Sequence, residues 1–132
     1  MPTIKVLQYN EDANEAIAEI MTSLDEAPQF SQVSIRVFCH PFSLPVISAS
    51  ISLFGFLVTN IVSENTIQAP QKTNDGYFSY HLFARVIDAQ HNRVQLGDVE
   101  IVLDCPIPKG IPENSYISFD VARLDLEGVE TE

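Results

Sequence analysis

Hydrophobic residues recur along this chain with two different periods, and the change falls near residue 30. Over residues 12–26 the apolar side chains are spaced three and four apart, which is the pattern of one face of an α-helix. They are Ala13, Ala16, Ile17, Ile20, Met21 and Leu24. The acidic residues fall largely on the other faces, and Pro28 disfavours helix at the residue before it. The pattern predicts an amphipathic N-terminal α-helix, preceded by a short strand at 3–9.

From residue 33 onward apolar and polar residues alternate, which predicts β-strands. One face of the first strand carries Val33, Ile35, Val37 and Cys39. The predicted strands cover 33–40, 46–64, 77–88, 93–104 and 116–126. The alternation changes phase at Gly55 and again at Gly97, so bends or bulges are expected there. Residues 63–76 are polar and predict a loop, and residues 106–112 are proline-rich and predict a rigid crossover.

Five main strands, one of them long and bent, behind a helix predict a small antiparallel barrel, with a β-sandwich as the alternative. Residues 46–124 resemble the OB fold. The resemblance rests on a long strand ending LFGFLV, the meander FSYHLFARVIDAQHNRVQLGDVEIVLD, and the crossover into SYISFDVARL. It implies a five-stranded OB-like barrel and binding of single-stranded nucleic acid. A jelly-roll or immunoglobulin-like sandwich gives the same alternation.

Acidic residues are concentrated at the two ends of the chain. Of 18 acidic side chains, six lie in 11–26 and four in 125–132, which leaves eight against six Lys/Arg in 27–124. The formal net charge of −11 therefore belongs mainly to the ends, and a nearly neutral body is compatible with a polyanionic partner. The sequence predicts one domain: an N-terminal strand and helix at 1–30, a barrel body at 31–124 and an acidic tail at 125–132.

The chain start shows no secretory signal, so an intracellular location (cytoplasmic, nuclear or viral) is expected. Residues 37–63 contain no Lys, Arg, Asp or Glu, but Pro41, Pro45 and several serines favour strands over a membrane-spanning helix. No membrane contact is therefore expected. The cysteines Cys39 and Cys105 are predicted to be free, buried thiols.

Two predicted strands alternate aromatic and cationic side chains on one face. The candidate nucleic-acid-binding residues are Arg36, Phe38, Lys72, Tyr77, His81, Phe83 and Arg85. Proteins that bind single strands stack bases on aromatic rings, at about 1–3 kcal/mol per base, and hold phosphates with Arg or Lys. Single-stranded nucleic-acid binding is therefore the leading predicted function. In the competing interpretation, Phe38 and Phe83 belong to a second buried layer.

In the leading prediction the acidic ends serve for partner contact or for autoinhibition of the nucleic-acid site, and in the alternative they are themselves the surface that contacts a basic partner protein. The candidate protein-interaction residues are Glu15, Glu19, Asp125, Glu127 and Glu130. Under this alternative the protein is an assembly subunit, adaptor or inhibitor without nucleic-acid contact. The C-terminal residues resemble in charge the acidic tails of bacterial and phage single-stranded DNA-binding proteins. An exposed edge strand would also permit a homo-oligomer.

Motifs for catalysis are lacking in the sequence. It contains no P-loop, GxGxxG or GxSxG, and no CxxC or HxxxH spacing for a metal. Cys39 and His40 are adjacent in a predicted strand and so point to opposite faces. A non-enzymatic protein without cofactor or metal is expected.

Overall fold

The computed structural model describes residues 3–10, 15–22, 33–39, 47–68, 70–73 and 79–131, and it is built almost entirely of β-strands. The strands are β1 (Thr3–Asn10), β2 (Glu15–Thr22), β3 (Val33–Cys39), β4 (Ile47–Phe56), β5 (Thr59–Glu64), β6 (Gln71–Lys72), β7 (Tyr80–Asp88), β8 (Arg93–Leu96), β9 (Val99–Leu103), β10 (Tyr116–Val121) and β11 (Arg123–Thr131). Within the described ranges the only helical segment is a 3₁₀ turn at Ala89–His91. No described helix has the length and apolar character needed to cross a membrane.

All eleven strands in the described ranges belong to one mixed sheet. Their order is β1-β2-β3-β11-β4-β9-β8-β7-β10-β5, with β6 paired to β7. The β3–β11 and β4–β9 pairs are parallel and the others are antiparallel. Strand β1 also pairs with β4, at Thr3↔Ser48 and Ile4↔Ile47. The N-terminal end of the sheet therefore curls back towards its middle.

Alternate residues of the strands form the core. In β7 the buried positions Tyr80, Leu82, Ala84 and Val86 face inward, and β10 contributes Ile117 and Phe119 with no exposed surface. Each fully buried side chain of this size stabilises the fold by about 1.5–3 kcal/mol. The Tyr80 hydroxyl accepts a hydrogen bond from the Arg36 backbone N–H at 2.9 Å. Strand β3 thus contacts β7 across the core, although four strands separate them in the sheet order.

The predicted helix over 12–26 is wrong. Glu15–Thr22 is strand β2, paired with β1 on one side and β3 on the other. Ala16, Ala18 and Ile20 are buried at alternate positions, whereas Met21, which the helical pattern placed in the apolar stripe, is exposed. Pairing on both sides outweighs the helix propensity of Ala, Glu and Met. The rest of the predicted helix lies outside the described residues.

The predicted five-stranded antiparallel OB-like barrel is also wrong, because three of its predicted strands divide. The segment 46–64 divides after Phe56, where Leu57 adopts a positive φ of 55°. The segment 93–104 divides at Gly97, which has a φ of 58°, and 116–126 divides at Ala122. After each division, the two parts of the predicted strand occupy different positions in the sheet order. The alternative β-sandwich is wrong as well, because a sandwich has two sheets and the described strands form one continuous sheet.

Other predicted elements are present. Strand 33–40 corresponds to β3, whose alternate residues from Val33 to Cys39 are buried as the pattern indicates. Strands β7 and β8 form an antiparallel hairpin across the turn at 89–92. The predicted acidic tail, in contrast, is part of β11, which pairs with β4 from Arg123↔Phe56 to Thr131↔Ala49. The tail residues up to Thr131 are therefore integrated in the sheet.

Candidate interaction surfaces

Three predicted nucleic-acid-binding residues, His81, Phe83 and Arg85, share the face of β7 opposite Leu82 and Ala84. Phe83 is only 5% exposed, so its ring is not open for stacking on a base. The Arg85 Nη2 group donates to Oε1 of Gln95 at 2.9 Å. His81 Nδ1 lies 2.8 Å from Oδ1 of Asp120. On this face the Phe83 ring is therefore covered, and the Arg85 and His81 side chains each contact another side chain of the protein.

Of the other predicted nucleic-acid-binding residues that the structure describes, two lie on β3 and one lies beside this face. Arg36 and Phe38 lie on β3, four strands from β7 in the sheet order. Lys72 lies on β6, exposed and paired with β7 at Tyr80. Tyr77 lies outside the described residues. The structure therefore places β6 beside the β7 residues and leaves the β3 residues apart.

The predicted protein-interaction residues lie on two strands. Glu15 and Glu19 are in β2, and Glu19 pairs in register with Arg36 of β3. Asp125, Glu127 and Glu130 are in β11. The side chains of Glu15 and Glu130 lie outside the described part. Asp125 is half-buried and Glu127 is exposed, so Glu127 is the more accessible of the two carboxylates.

An aromatic group that the sequence analysis did not predict lies across β3, β11 and β4. We call Phe38, Phe54, Phe56 and Arg123 the Phe/Arg cluster. In the sheet register Asp125 is opposite both Phe38 and Phe54, and Arg123 is opposite Phe56. The Arg123 guanidinium carbon lies 4.7 Å from the Phe56 ring centre and 5.4 Å from that of Phe38. The rings of Phe54 and Phe56 meet edge to face at 4.8 Å.

The Arg123 guanidinium is held in place by a carboxylate as well as by the rings. Its Nε lies 2.8 Å from Oδ1 of Asp125, and its Nη2 donates to Oδ2 of the same residue at 3.1 Å. The carboxylate and the two rings together restrain the guanidinium, and cation–π contacts at exposed sites add about 0.5–1 kcal/mol each. Because both side chains are ordered before any partner arrives, the cluster is preorganised.

A shallow groove of about 430 Å³ lies beside the Phe/Arg cluster. Its lining consists of Phe54, Phe56, Asp125, Leu126 and Glu127. The described lining therefore combines an apolar floor with two carboxylates and has no basic side chain. The sequence signal for this groove was the alternation of Phe54 with Phe56 and of Arg123 with Asp125. Pairing between β4 and β11, which brings the two patterns together, was not readable from the sequence.

A second, more polar cavity of about 240 Å³ is centred on Asp120, and we call it the Asp120 pocket. The Asn60 Nδ2 group donates to Oδ2 of Asp120 at 2.9 Å, while His81 contacts Oδ1. These two donors, Asn60 first, lower the pKa of Asp120 below its ordinary value. Asp120 is therefore ionised at neutral pH. Leu57, Thr59, Thr73 and Ala122 contribute to the walls.

Groups suited to metal binding or covalent chemistry are scarce in the described ranges. No three His, Cys, Asp or Glu side chains converge there in a way that would hold a metal ion. Cys39 is buried and Cys105 is half-buried, and both are free thiols. Burial raises the pKa of each thiol, which keeps it protonated and unreactive.

Comparisons of the chain with protein-family models, with curated proteins and with solved structures found no match. Its function is therefore argued from the geometry of the groove and the pocket.

Proposed function

We propose that this protein is a non-enzymatic interaction module that binds a basic segment of a partner protein in the groove beside the Phe/Arg cluster. The observation that carries the proposal is the lining of that groove. Phe54, Phe56 and Leu126 offer an apolar floor, and Glu127 supplies negative charge beside Asp125, whose carboxylate is already paired with Arg123. A peptide that alternates apolar and cationic side chains is complementary to both.

The composition of this surface supports a protein partner. Aromatic residues and arginine are enriched at protein–protein interfaces and provide most of the anchor residues. Arg123 is ordered by two rings and one carboxylate, so little conformational entropy is lost when a partner packs against it. The net charge of −11 favours a cationic partner, because long-range attraction raises the association rate.

Nucleic-acid binding has less support from the geometry. Phe83 is covered, and two carboxylates, Asp120 and Glu64, lie near the predicted phosphate-binding groups. Asp120 contacts His81, and Glu64 is paired in register with Tyr116, the neighbour of Arg85. A carboxylate beside a phosphate is repulsive, and affinity for single strands depends on neutralising phosphates.

The test compares two fluorescein-labelled peptides of equal length, one alternating lysine with leucine and one alternating glutamate with leucine, by fluorescence anisotropy. The lysine peptide should bind and the glutamate peptide should not. Phe54→Ala should weaken binding by at least about tenfold, because buried aromatic anchors are worth 2 kcal/mol or more. Glu127→Lys should weaken it by roughly threefold to tenfold, since exposed charge pairs contribute up to about 1 kcal/mol each.

The matched control is Glu113→Lys, which makes the same charge change at an exposed position on the proline-rich crossover. Circular dichroism checks that each variant keeps the fold. Equal losses for Glu127→Lys and Glu113→Lys would mean that only the net charge attracts the peptide, which contradicts the proposal. A labelled oligothymidylate included in the same assay tests nucleic acid directly. Binding of the oligonucleotide without binding of the lysine peptide would also overturn it.

A further inference from the structure

The backbone at the mouth of the Asp120 pocket is held in a conformation that ordinary residues avoid. Leu57 and Asn60 both have positive φ, 55° and 57°, which is common for glycine and rare for leucine. Both Asp104 oxygens hold the strained turn, accepting the backbone N–H of Leu57 at 2.6 Å and of Val58 at 3.0 Å. Strain that the surroundings maintain in this way is concentrated at binding sites.

The Asp120 carboxylate is fixed but not saturated. Asn60 and His81 each contact one of its oxygens, and a carboxylate has about four acceptor positions. Thr59 and Thr73 also line the pocket, and the Thr73 hydroxyl donates to the Ser79 hydroxyl at 2.6 Å while its oxygen can still accept. Leu57, Val121 and Ala122 supply apolar surface. The pocket thus presents one negative charge, several oxygen acceptors and a short apolar wall.

These features select a ligand class. An anion would be repelled, and a neutral ligand would take the charged carboxylate out of water without an opposite charge, which is costly. A guanidinium fork occupies one acceptor position on each carboxylate oxygen at the same time, and each oxygen of Asp120 already accepts one protein donor, so only one position per oxygen remains and the fork has less freedom to align. An ammonium group is compact and needs only separate acceptors around its three N–H bonds.

We propose that the Asp120 pocket binds a primary alkylammonium group, with the charge on Asp120 and the alkyl chain against Leu57, Val121 and Ala122. The ammonium belongs either to a free amine or to a lysine side chain of a partner protein. The pocket adjoins the Phe/Arg cluster, because the Ala122 N–H donates to the Phe56 carbonyl at 3.0 Å. The proposal does not require a peptide in the groove, so it can succeed or fail separately from the proposed function.

The experiment is a titration of the ¹⁵N-labelled full-length protein followed by NMR. The probes are n-butylammonium, n-butanol and n-butylguanidinium, which share the alkyl chain and differ in the head group. Butylammonium should shift the side-chain amide signal of Asn60 and the backbone signals of Thr59 and Asp120 in a saturable way. Butanol should not shift these signals, and butylguanidinium should bind more weakly than butylammonium. Asp120→Asn should weaken butylammonium binding by roughly tenfold or more, because a hydrogen bond to a charged group is lost.

Two further variants keep the result interpretable. Asp88→Asn is the matched control, since Asp88 also contacts a histidine, with Oδ2 at 2.7 Å from His91 Nδ1, but it does not line the pocket. It should leave binding unchanged. Ala122→Leu keeps the charge and fills part of the cavity, so it should also abolish binding. The proposal fails if butanol or butylguanidinium binds as tightly as butylammonium, if no probe gives a saturable shift, or if Asp120→Asn and Asp88→Asn behave alike.

The same titration distinguishes the two sources of the ammonium. Nα-acetyl-lysine methylamide carries the lysine side chain on a peptide-like backbone. Tighter binding of this probe than of butylammonium would assign the pocket to a lysine of a partner protein. Equal or weaker binding would assign it to a free amine.

Discussion

At the scale of single residues, Leu57 and Asp104 form one unit. Leu57 is 71% exposed with a left-handed backbone, so its side chain gains little from burial while its conformation costs roughly 1–2 kcal/mol. The two hydrogen bonds from Leu57 and Val58 to Asp104 offset that cost and end β4 at this point. The residue that stabilises the turn is therefore 46 positions away in the chain from Val58.

Asp104→Ala is expected to lower the free energy of unfolding by about 2 kcal/mol, because two hydrogen bonds to a charged acceptor are lost. Leu57→Gly is expected to leave it unchanged or raise it by up to about 1 kcal/mol, since glycine adopts positive φ without strain. Urea unfolding followed by circular dichroism measures both. Glu113→Ala, an exposed carboxylate on the crossover, is the control. An Asp104→Ala variant as stable as this control would show that the turn does not depend on the carboxylate.

At the scale of elements, the alternation of apolar and polar residues predicted strands correctly where burial alternates in a simple way. It missed a strand that contains few strongly β-forming residues. Val33, Ile35 and Val37 are β-branched, and their strand is present as β3. In β2 the buried positions are Ala16, Ala18 and Ile20, and alanine carries almost no preference for a strand. A short apolar run of this kind fits both the helical and the strand period, so only pairing with neighbouring strands determines which structure forms.

Strand pairing also determines which candidate site residues contact each other. The alternation along 33–40 predicted that Phe38 faces away from the core, and Phe38 is half-buried there, against Arg123. Its neighbours come from β11 and β4, which the sequence could not place beside β3. Phe83 is buried, as the interpretation of a second buried layer predicted, so the alternation identified its face but left open whether the ring is exposed. Cross-strand contacts are long-range, and local pattern carries no information about them.

Strand β11 should be essential for the fold. Truncation after Leu124 would remove eight residues, seven of which belong to a strand that pairs along β4. We expect a loss comparable with the whole stability of a domain, which is typically about 5–15 kcal/mol, and thus a loss of cooperative unfolding. Glu127→Gln is the control, because it changes charge at an exposed position of the same strand and should stay within about 0.5 kcal/mol. A truncated protein with an unchanged urea midpoint would mean that these residues do not contribute to the sheet.

At the scale of the whole molecule, five of the ten acidic residues near the chain ends lie in strands of the sheet, two in β2 and three in β11. Acidic residues in β2 and β11 lie within a few strands of each other in the sheet order. Described ion pairs join Arg93 to Glu100 and Arg123 to Asp125, and His81 and His91 contact the carboxylates of Asp120 and Asp88. With 18 acidic against seven basic residues, most carboxylates have no cationic partner to neutralise them, and like-charge repulsion opposes the compact state.

Moderate salt should therefore stabilise the protein. The screening length falls from about 30 Å at 0.01 M to about 8 Å at 0.15 M, which weakens repulsion between distant carboxylates more than it weakens ion pairs in contact. We expect a higher midpoint of thermal unfolding by circular dichroism at the higher salt concentration. The increase should shrink in a Glu113→Gln/Glu127→Gln variant, whose formal charge changes from −11 to −9. A midpoint that falls with salt would mean that the ion pairs outweigh the repulsion. Because the same screening slows association with a cationic partner, salt should stabilise the fold while weakening the binding proposed for the groove.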